Sequence, residues 1–381
     1  MNLRDVLHQT AHTADELTDT LIHAIRQRVG VMGPVRVVPY VGYGTRRRVR
    51  LMGRVLLDRK AERDLTNASS LDNLIHMMGL YATNEVAGAK VRATFPDGQT
   101  VELETDEEGY LDAWVTLDTP VAPDAFWRRV SFELLDPIYD GQQTTTFSTR
   151  VQVPGDRAEF GVISDIDDTI LQTGAQDLLR TARIVLLNNA NSRLPFPGVD
   201  VLYNALRKSD LGTPRNPFWY LSSSPWNLYE LFERFMQLHN LPPGPMLLKD
   251  FGVDEDTFIK SSHAQHKTER ILGLLDRYPN MSFVLIGDSG QQDTEIYHDV
   301  ARRHGRRIRA IYIRDVTGDD RDAEVEQMGD ELREWGVPLV LAEDSAAIAR
   351  HAAAEGLISE LSAEQVERAC QSDAEPHLAI A

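Results

Sequence analysis

Gly161-Val162-Ile163-Ser164-Asp165-Ile166-Asp167-Asp168-Thr169 decides how the rest of this sequence is read. Phe160–Ile163 is a short apolar run of the length of a buried strand. It breaks off into three aspartates and a threonine. A strand covered on both faces reads as a continuous apolar run, and its chemistry sits beyond its carboxyl end. Carboxylates packed this closely repel one another, so they take up protons or share a hard cation. Magnesium suits them, because it prefers oxygen ligands and keeps water that a phosphate can displace. Histidine and cysteine are scarce around them, which disfavours zinc. Taken alone, the stretch is also compatible with a loop of helix caps.

Working outward, strands and helices alternate after Pro154-Gly155-Asp156, which reads as a linker. Strands are expected at Phe160–Ile163, Phe218–Leu221, Met246–Leu248, Ser282–Ile286, Ile308–Ile313 and Pro338–Leu341, with helical patterns near 199–208, 225–239, 267–277, 291–304, 321–335 and 344–355. This predicts an α/β fold, a parallel sheet with helices on both faces. Its carboxyl rim would gather Asp165, Asp167, Asp168 and Thr169 from the first strand and Ser222, Ser223 and Ser224 from the second. Asp288, Ser289 and Asp293 would come from the fourth, and Lys267 from a helix start just upstream. Ser224-Pro225 reads as an N-cap followed by proline at the first helical position. Free amides at such a start, with hydroxyls beside them, form an anion seat. Ser224 can cap while Ser222 holds phosphate.

Before the linker the pattern differs. Residues 3–28 read as one amphipathic helix with Leu3, Leu7, Ala14, Leu17 and Leu21 on a stripe. Its opposite face is acidic, which fits docking on the protein body better than lying on an anionic bilayer. Residues 31–153 contain short β-rich runs separated by turns such as Pro96-Asp97-Gly98, as in an all-β sandwich-like domain. The expected domains are therefore 1–30, 31–153, a catalytic unit at 157–358 and a polar tail at 359–381.

A chain of 381 residues is long for one core, and 42% hydrophobic with 26% charged residues is globular composition. Cys370 is the sole cysteine, so no internal disulfide forms and a reducing, cytoplasmic setting is expected. No run approaches the roughly 18 apolar residues of a membrane span. No basic start with an apolar core opens the sequence, so no signal peptide is expected. The formal charge is −18, most of it after residue 157. That repels anionic ligands at long range and disfavours nucleic acid as a partner.

Together the motifs resemble the haloacid dehalogenase (HAD) superfamily of phosphatases: an apolar strand ending in Asp165-x-Asp167-x-Thr169, a second ending in Ser222, Lys267, and an acidic loop with Asp288 and Asp293. The stretches Ser164–Ile170, Leu221–Tyr229, His266-Lys267 and Ile286–Asp293 further resemble the phosphatidate phosphatases named after the yeast actin patch protein. Val41-Gly42-Tyr43-Gly44 and the Arg-rich strand after it resemble the segment preceding that family's catalytic domain. The resemblance implies a HAD-like Rossmannoid sheet. It implies Asp165 as nucleophile and Asp167 as the acid and base. Mg2+ would be held by Asp165, the Asp167 backbone carbonyl and Asp288. Ser222, Ser223 and Lys267 would bind phosphate, and Asp293 and Thr169 would support them. The expected activity is a magnesium-dependent phosphomonoesterase acting on phosphatidate, through an aspartyl-phosphate. Alternatives are a phosphatase of soluble phosphate esters and a scaffold with a phosphatase fold. The expected partner is a lipid phosphate ester, with transient membrane-surface contact from a cytoplasmic, peripheral location.

Other residues carry both plain and functional readings. His263 and His266 precede Lys267 and are expected to be structural. Arg46, Arg48 and Arg50 would share one solvated strand face or touch acidic lipid head groups. Arg302, Arg303, Arg306, Arg307 and Arg309 are expected to be solvated. Trp226 is a candidate for the substrate mouth. Residues 170–197 are too long for a turn and read as a small flap or cap.

Overall fold

The computed structural model describes residues 33–57, 85–166, 169, 196–208, 213, 215–249, 261–290, 292–316 and 322–374. The expected N-terminal helix, the bulk of the expected flap, and Asp167 and Asp168 lie outside these residues.

The first half is all β. Strands β1 (Val35–Gly44), β2 (Arg48–Leu57), β3 (Lys90–Thr94), β4 (Thr100–Glu104), β5 (Tyr110–Thr116), β6 (Trp127–Asp136) and β7 (Thr146–Gln152) form one sheet. Their order is β4-β3-β6-β7-β1-β2-β5. All pairs are antiparallel except β1 with β7. β1 joins the groups β2-β5 and β7-β6-β3-β4, pairing along its length with β2 but with β7 only at Gly42 and Tyr43, and residues of both groups share one core. Alternating residues such as Val49, Leu51, Val91, Ala93, Val130 and Phe132 point inward and are buried.

The second half is a six-stranded parallel sheet: β8 (Gly161–Asp165), β9 (Phe218–Pro225), β10 (Met246–Lys249), β11 (Phe283–Asp288), β12 (Ile308–Arg314) and β13 (Leu339–Ala342). The order is β10-β9-β8-β11-β12-β13. Every residue of β8 and β11 is buried, as strands covered on both faces require. Helices α1 (Val199–Arg207), α2 (Tyr229–Leu238), α3 (Ser261–Arg277), α4 (Asp293–His304), α5 (Asp322–Glu334), α6 (Ser345–Ala354) and α7 (Glu360–Ala374) flank it on both sides. From β8 the chain first builds outward through β9 and β10. It then returns to the other side of β8 with β11. The order therefore reverses between β8 and β11, the crevice where ligands bind in such sheets.

Two expectations change here. The segment read as a polar tail contains α7, which buries Ala363, Val366 and Cys370 against its neighbours α6 and α1. Those apolar positions are sparse, so the stripe is thin in sequence. The serines do not cap a helix either. Pairing of Pro225 with Lys249 keeps β9 extended through Ser222, Ser223 and Ser224, and a short 3-10 turn at Trp226–Leu228 precedes α2.

The two halves share one core. Val38, Tyr40, Tyr43, Met52 and Leu56 of the β sheet join the apolar cluster of the α/β part. Tyr40 stacks on Trp226, with ring centroids 4.8 Å apart. Trp226 thus anchors the junction of the sheets instead of a substrate mouth. The Tyr229 hydroxyl accepts from Val41 N at 2.8 Å. Arg36 pairs with Glu230, Arg54 donates to Asn227, and Gln152 donates to the Phe218 carbonyl.

The arginine clusters are also partly internal. Arg50 makes a two-pronged contact with Asp112 and donates to the Tyr43 hydroxyl, while Arg46 Nε donates to the Val121 carbonyl. Arg307 donates to the carbonyls of Leu275, Tyr278 and Met281 around the end of α3. Among the described residues no helix is long and apolar enough to cross a membrane.

Candidate active site

The β8–β11 crevice collects the carboxylates. Asp165 is the last residue of β8, Asp288 the last of β11, and Asp293 the first of α4. All three are fully buried, and one oxygen from each lies within 4.8 Å of the others. Gly287 makes this approach possible. A methyl group at that position would lie 2.6 Å from Asp293 Oδ2 and 2.8 Å from the Tyr297 ring.

Lys267 reaches in from α3. Its Nζ lies 2.7 Å from Asp165 Oδ1 and 2.6 Å from Asp293 Oδ1. Burial alone would lower the lysine pKa. The charges and hydrogen bonds of Asp165 and Asp293 outweigh that, so it is raised and the ammonium persists. The other oxygens are partly fixed as well. Gly290 N donates to Asp288 Oδ1 at 2.8 Å, and Asp288 N reaches Asp293 Oδ2 at 3.4 Å.

Ser222 is buried at the end region of β9, and its hydroxyl accepts the Ser224 N–H at 2.8 Å. This fixes the Ser222 hydroxyl against the backbone of the extended strand. Ser223 is half-buried and Thr169 is buried. His266 is half-buried next to Lys267. On the other side of β8, Ser164 Oγ lies 2.7 Å from the Tyr203 hydroxyl. Burial raises the Tyr203 pKa to about 12, against the Ser164 hydrogen bond and the charge of Arg314.

Among the described residues, three buried carboxylates face one ammonium, and the carboxylates are close enough to hold a metal ion. The donor set is all oxygen and enclosed, which fits magnesium better than zinc. Asp165, Lys267, Asp288 and Asp293 are brought together as expected from their order in the sequence.

Two residues were missed in the sequence. Tyr203 backs Ser164 from α1, and no motif marks it. Arg314 ends β12 in register with Asp288, and its carbonyl accepts the Ser289 N–H at 2.9 Å. A charge closing the apolar run Ala310–Ile313 was the available signal.

Comparison with known proteins places these residues in context. Residues 160–315 match the family described as "Phosphatidate phosphatase APP1, catalytic domain". The phosphatidate phosphatase APP1 of Saccharomyces cerevisiae is 34% identical over 202 residues, covering 52% of this chain and 30% of that protein. An uncharacterized protein of Schizosaccharomyces pombe is 27% identical over 252 residues, covering 64% of this chain and 38% of that protein. The chain thus spans about a third of the length of these curated relatives. Among solved structures, a GH2 beta-galacturonidase from Eisenbergiella tayi is 10% identical, with a TM-score of 0.26. It covers 81% of this chain and 56% of its own. That likeness is too distant to inform fold or function.

Proposed function

We propose, from the premise that residues 160–315 belong to the APP1-type phosphatidate phosphatase family, that this chain is a magnesium-dependent phosphomonoesterase with a HAD-like catalytic unit, releasing phosphate from phosphatidate. The observation that carries the reading is Lys267 held between Asp165 and Asp293, with Asp288 in the same buried cluster at the β8–β11 crevice.

In this reading the Asp165 carboxylate attacks phosphorus. The bond from phosphorus to the ester oxygen breaks, and the leaving alcohol takes its proton from Asp167. The resulting aspartyl-phosphate is hydrolysed by a water whose proton returns to Asp167, releasing inorganic phosphate and restoring Asp165. Lys267 fixes one oxygen of the nucleophile and offers charge to the phosphoryl oxygens. Ser222, its hydroxyl fixed by the Ser224 N–H, and Ser223 line the phosphate seat. Asp293 holds Lys267 in place, and Thr169 supports the first loop. Asp165, Asp288 and the Asp167 carbonyl would hold the magnesium ion. When bound, it supplies the positive charge that lets an anionic ester approach an anionic carboxylate.

Phosphatidate as substrate follows the named relative, and it implies peripheral contact with a lipid surface. The charge of −18 favours a second reading, a soluble phosphate ester, because an anionic membrane repels an acidic chain. Phosphate release from phosphatidate micelles and from soluble esters, with Mg2+ and in parallel with Asp165→Asn, tests both. Release by wild type and none by the variant supports the mechanism. Equal release by both overturns it, and release from soluble esters alone removes the lipid.

A further inference from the structure

Three cations are buried among the described residues: Arg54, Lys267 and Arg314. Arg54 pairs with Glu85, and Lys267 is shared by Asp165 and Asp293. Arg314 is 1% exposed and has no carboxylate within ion-pair distance among the described residues. Its Nη2 donates to Ser345 Oγ at a long 3.3 Å, while Nε and Nη1 meet no acceptor among the described residues. Leaving buried donors of a charged group unmatched is expensive, so such groups in folded proteins normally await a ligand or water.

The position of Arg314 indicates which ligand. Its Cα is paired with that of Asp288 in parallel register, so both side chains leave the sheet on the same face. The guanidinium lies 3.9 Å above the Phe196 ring, which holds its plane. Burial lowers its pKa to about 10, opposed by Tyr203, Cys370 and Asp344, so it remains a cation at neutral pH. Asp344 acts on it from a distance, its Oδ1 being taken by the Ala347 N–H. With part of the charge balanced this way, the unmet need is for hydrogen-bond acceptors more than for another full anion. Tyr203 links the same region to Ser164, the neighbour of Asp165.

We infer that Arg314 is a second substrate seat of this site, binding oxygens of the glycerol backbone or its acyl esters that lie beyond the phosphoryl group. This rests on the proposed function for the identity of the reaction. It adds that the transferred phosphate and the rest of the substrate are gripped by different cations, Lys267 and Arg314. A plain phosphate ester offers Arg314 nothing, whereas a glycerophosphate ester does.

The test uses the full chain with Mg2+, as wild type, Arg314→Met and Arg314→Lys. Steady-state rates are measured on phosphatidate in mixed micelles, glycerol 3-phosphate and p-nitrophenyl phosphate. Arg314→Met should lower the phosphatidate to p-nitrophenyl phosphate ratio of kcat/KM tenfold or more, chiefly through KM, with partial recovery in Arg314→Lys. An equal loss on glycerol 3-phosphate assigns the seat to backbone oxygens, and a loss on phosphatidate alone assigns it to acyl carbonyls. A ratio within twofold of wild type overturns the inference, as does an equal fall on all substrates with a lowered melting temperature, which is the mark of a packing residue. If wild type hydrolyses none of them, the proposed function fails and binding decides. Calorimetry then compares the phosphonate analogue of dihexanoyl phosphatidate with methylphosphonate. Arg314→Met should remove a tenfold or greater preference for the former, and absence of that preference in wild type overturns the seat.

Discussion

Replacing Lys267 by methionine isolates the electrostatics of the site. The methionine keeps most of the aliphatic bulk and removes the ammonium. The lost contacts are 2.7 Å to Asp165 and 2.6 Å to Asp293, among groups no more than 3% exposed. Asp165 and Asp293 then lose the ammonium they share, beside Asp288. Breaking a buried pair costs about 3–5 kcal/mol, because a charge is stranded away from water. The protein can escape by binding a proton. For an ordinary aspartate of pKa about 3.9, that costs about 4 kcal/mol at pH 7 and about 1.5 kcal/mol at pH 5. The two routes agree at about 4 kcal/mol near neutrality. Urea unfolding with chelator present should show that loss at pH 7 and less than half of it at pH 5. Adding Asp293→Asn should recover part of the stability, and magnesium should recover more. A loss under about 1 kcal/mol at pH 7, the size of an exposed pair, would refute the reasoning. So would an equal loss at both pH values.

Three further outcomes follow from the geometry. Gly287→Ala forces a methyl within 2.6 Å of Asp293 Oδ2, so a thermal melt should show destabilisation of about 1–3 kcal/mol and rate assays a large drop in phosphate release. Chelation should abolish phosphate release and added magnesium restore it, while Asp288→Asn should raise the magnesium concentration needed for half-maximal rate about tenfold or more. Burial lowers the pKa of His239, with Asp200 opposing. The unfolded chain therefore binds its proton first, and stability is retained above the unfolded value of about 6.5 and lost as pH falls from there through the folded value. His239→Gln should flatten that part of the curve of urea midpoint against pH.

The carboxylate cluster was legible in the sequence because its members sit at strand ends, where an apolar run stops abruptly at Asp165 or Asp288. Lys267 and Asp293 were legible through their order and spacing. Other features depend on contacts far apart in the chain. The extension of β9 through Ser222–Ser224 comes from pairing with β10, and local residues favoured a helix cap. Arg46, Arg50 and Arg307 looked solvated because their partners Val121, Asp112 and Met281 are distant. The enclosure of Arg314 was hidden for the same reason, since only its packing on Phe196 and Ser345 shows it.

The core shared by the two sheets separates the unit of ancestry from the unit of folding. The family match runs from 160 to 315, yet β13, α6 and α7 lie after it and Tyr40 and Val38 before it. A fragment cut to the matched residues would bare the faces of Trp226 and Tyr229 that Tyr40 covers, and leave β12 without its outer neighbour. The matched segment is therefore tied to its β companion through a common interior.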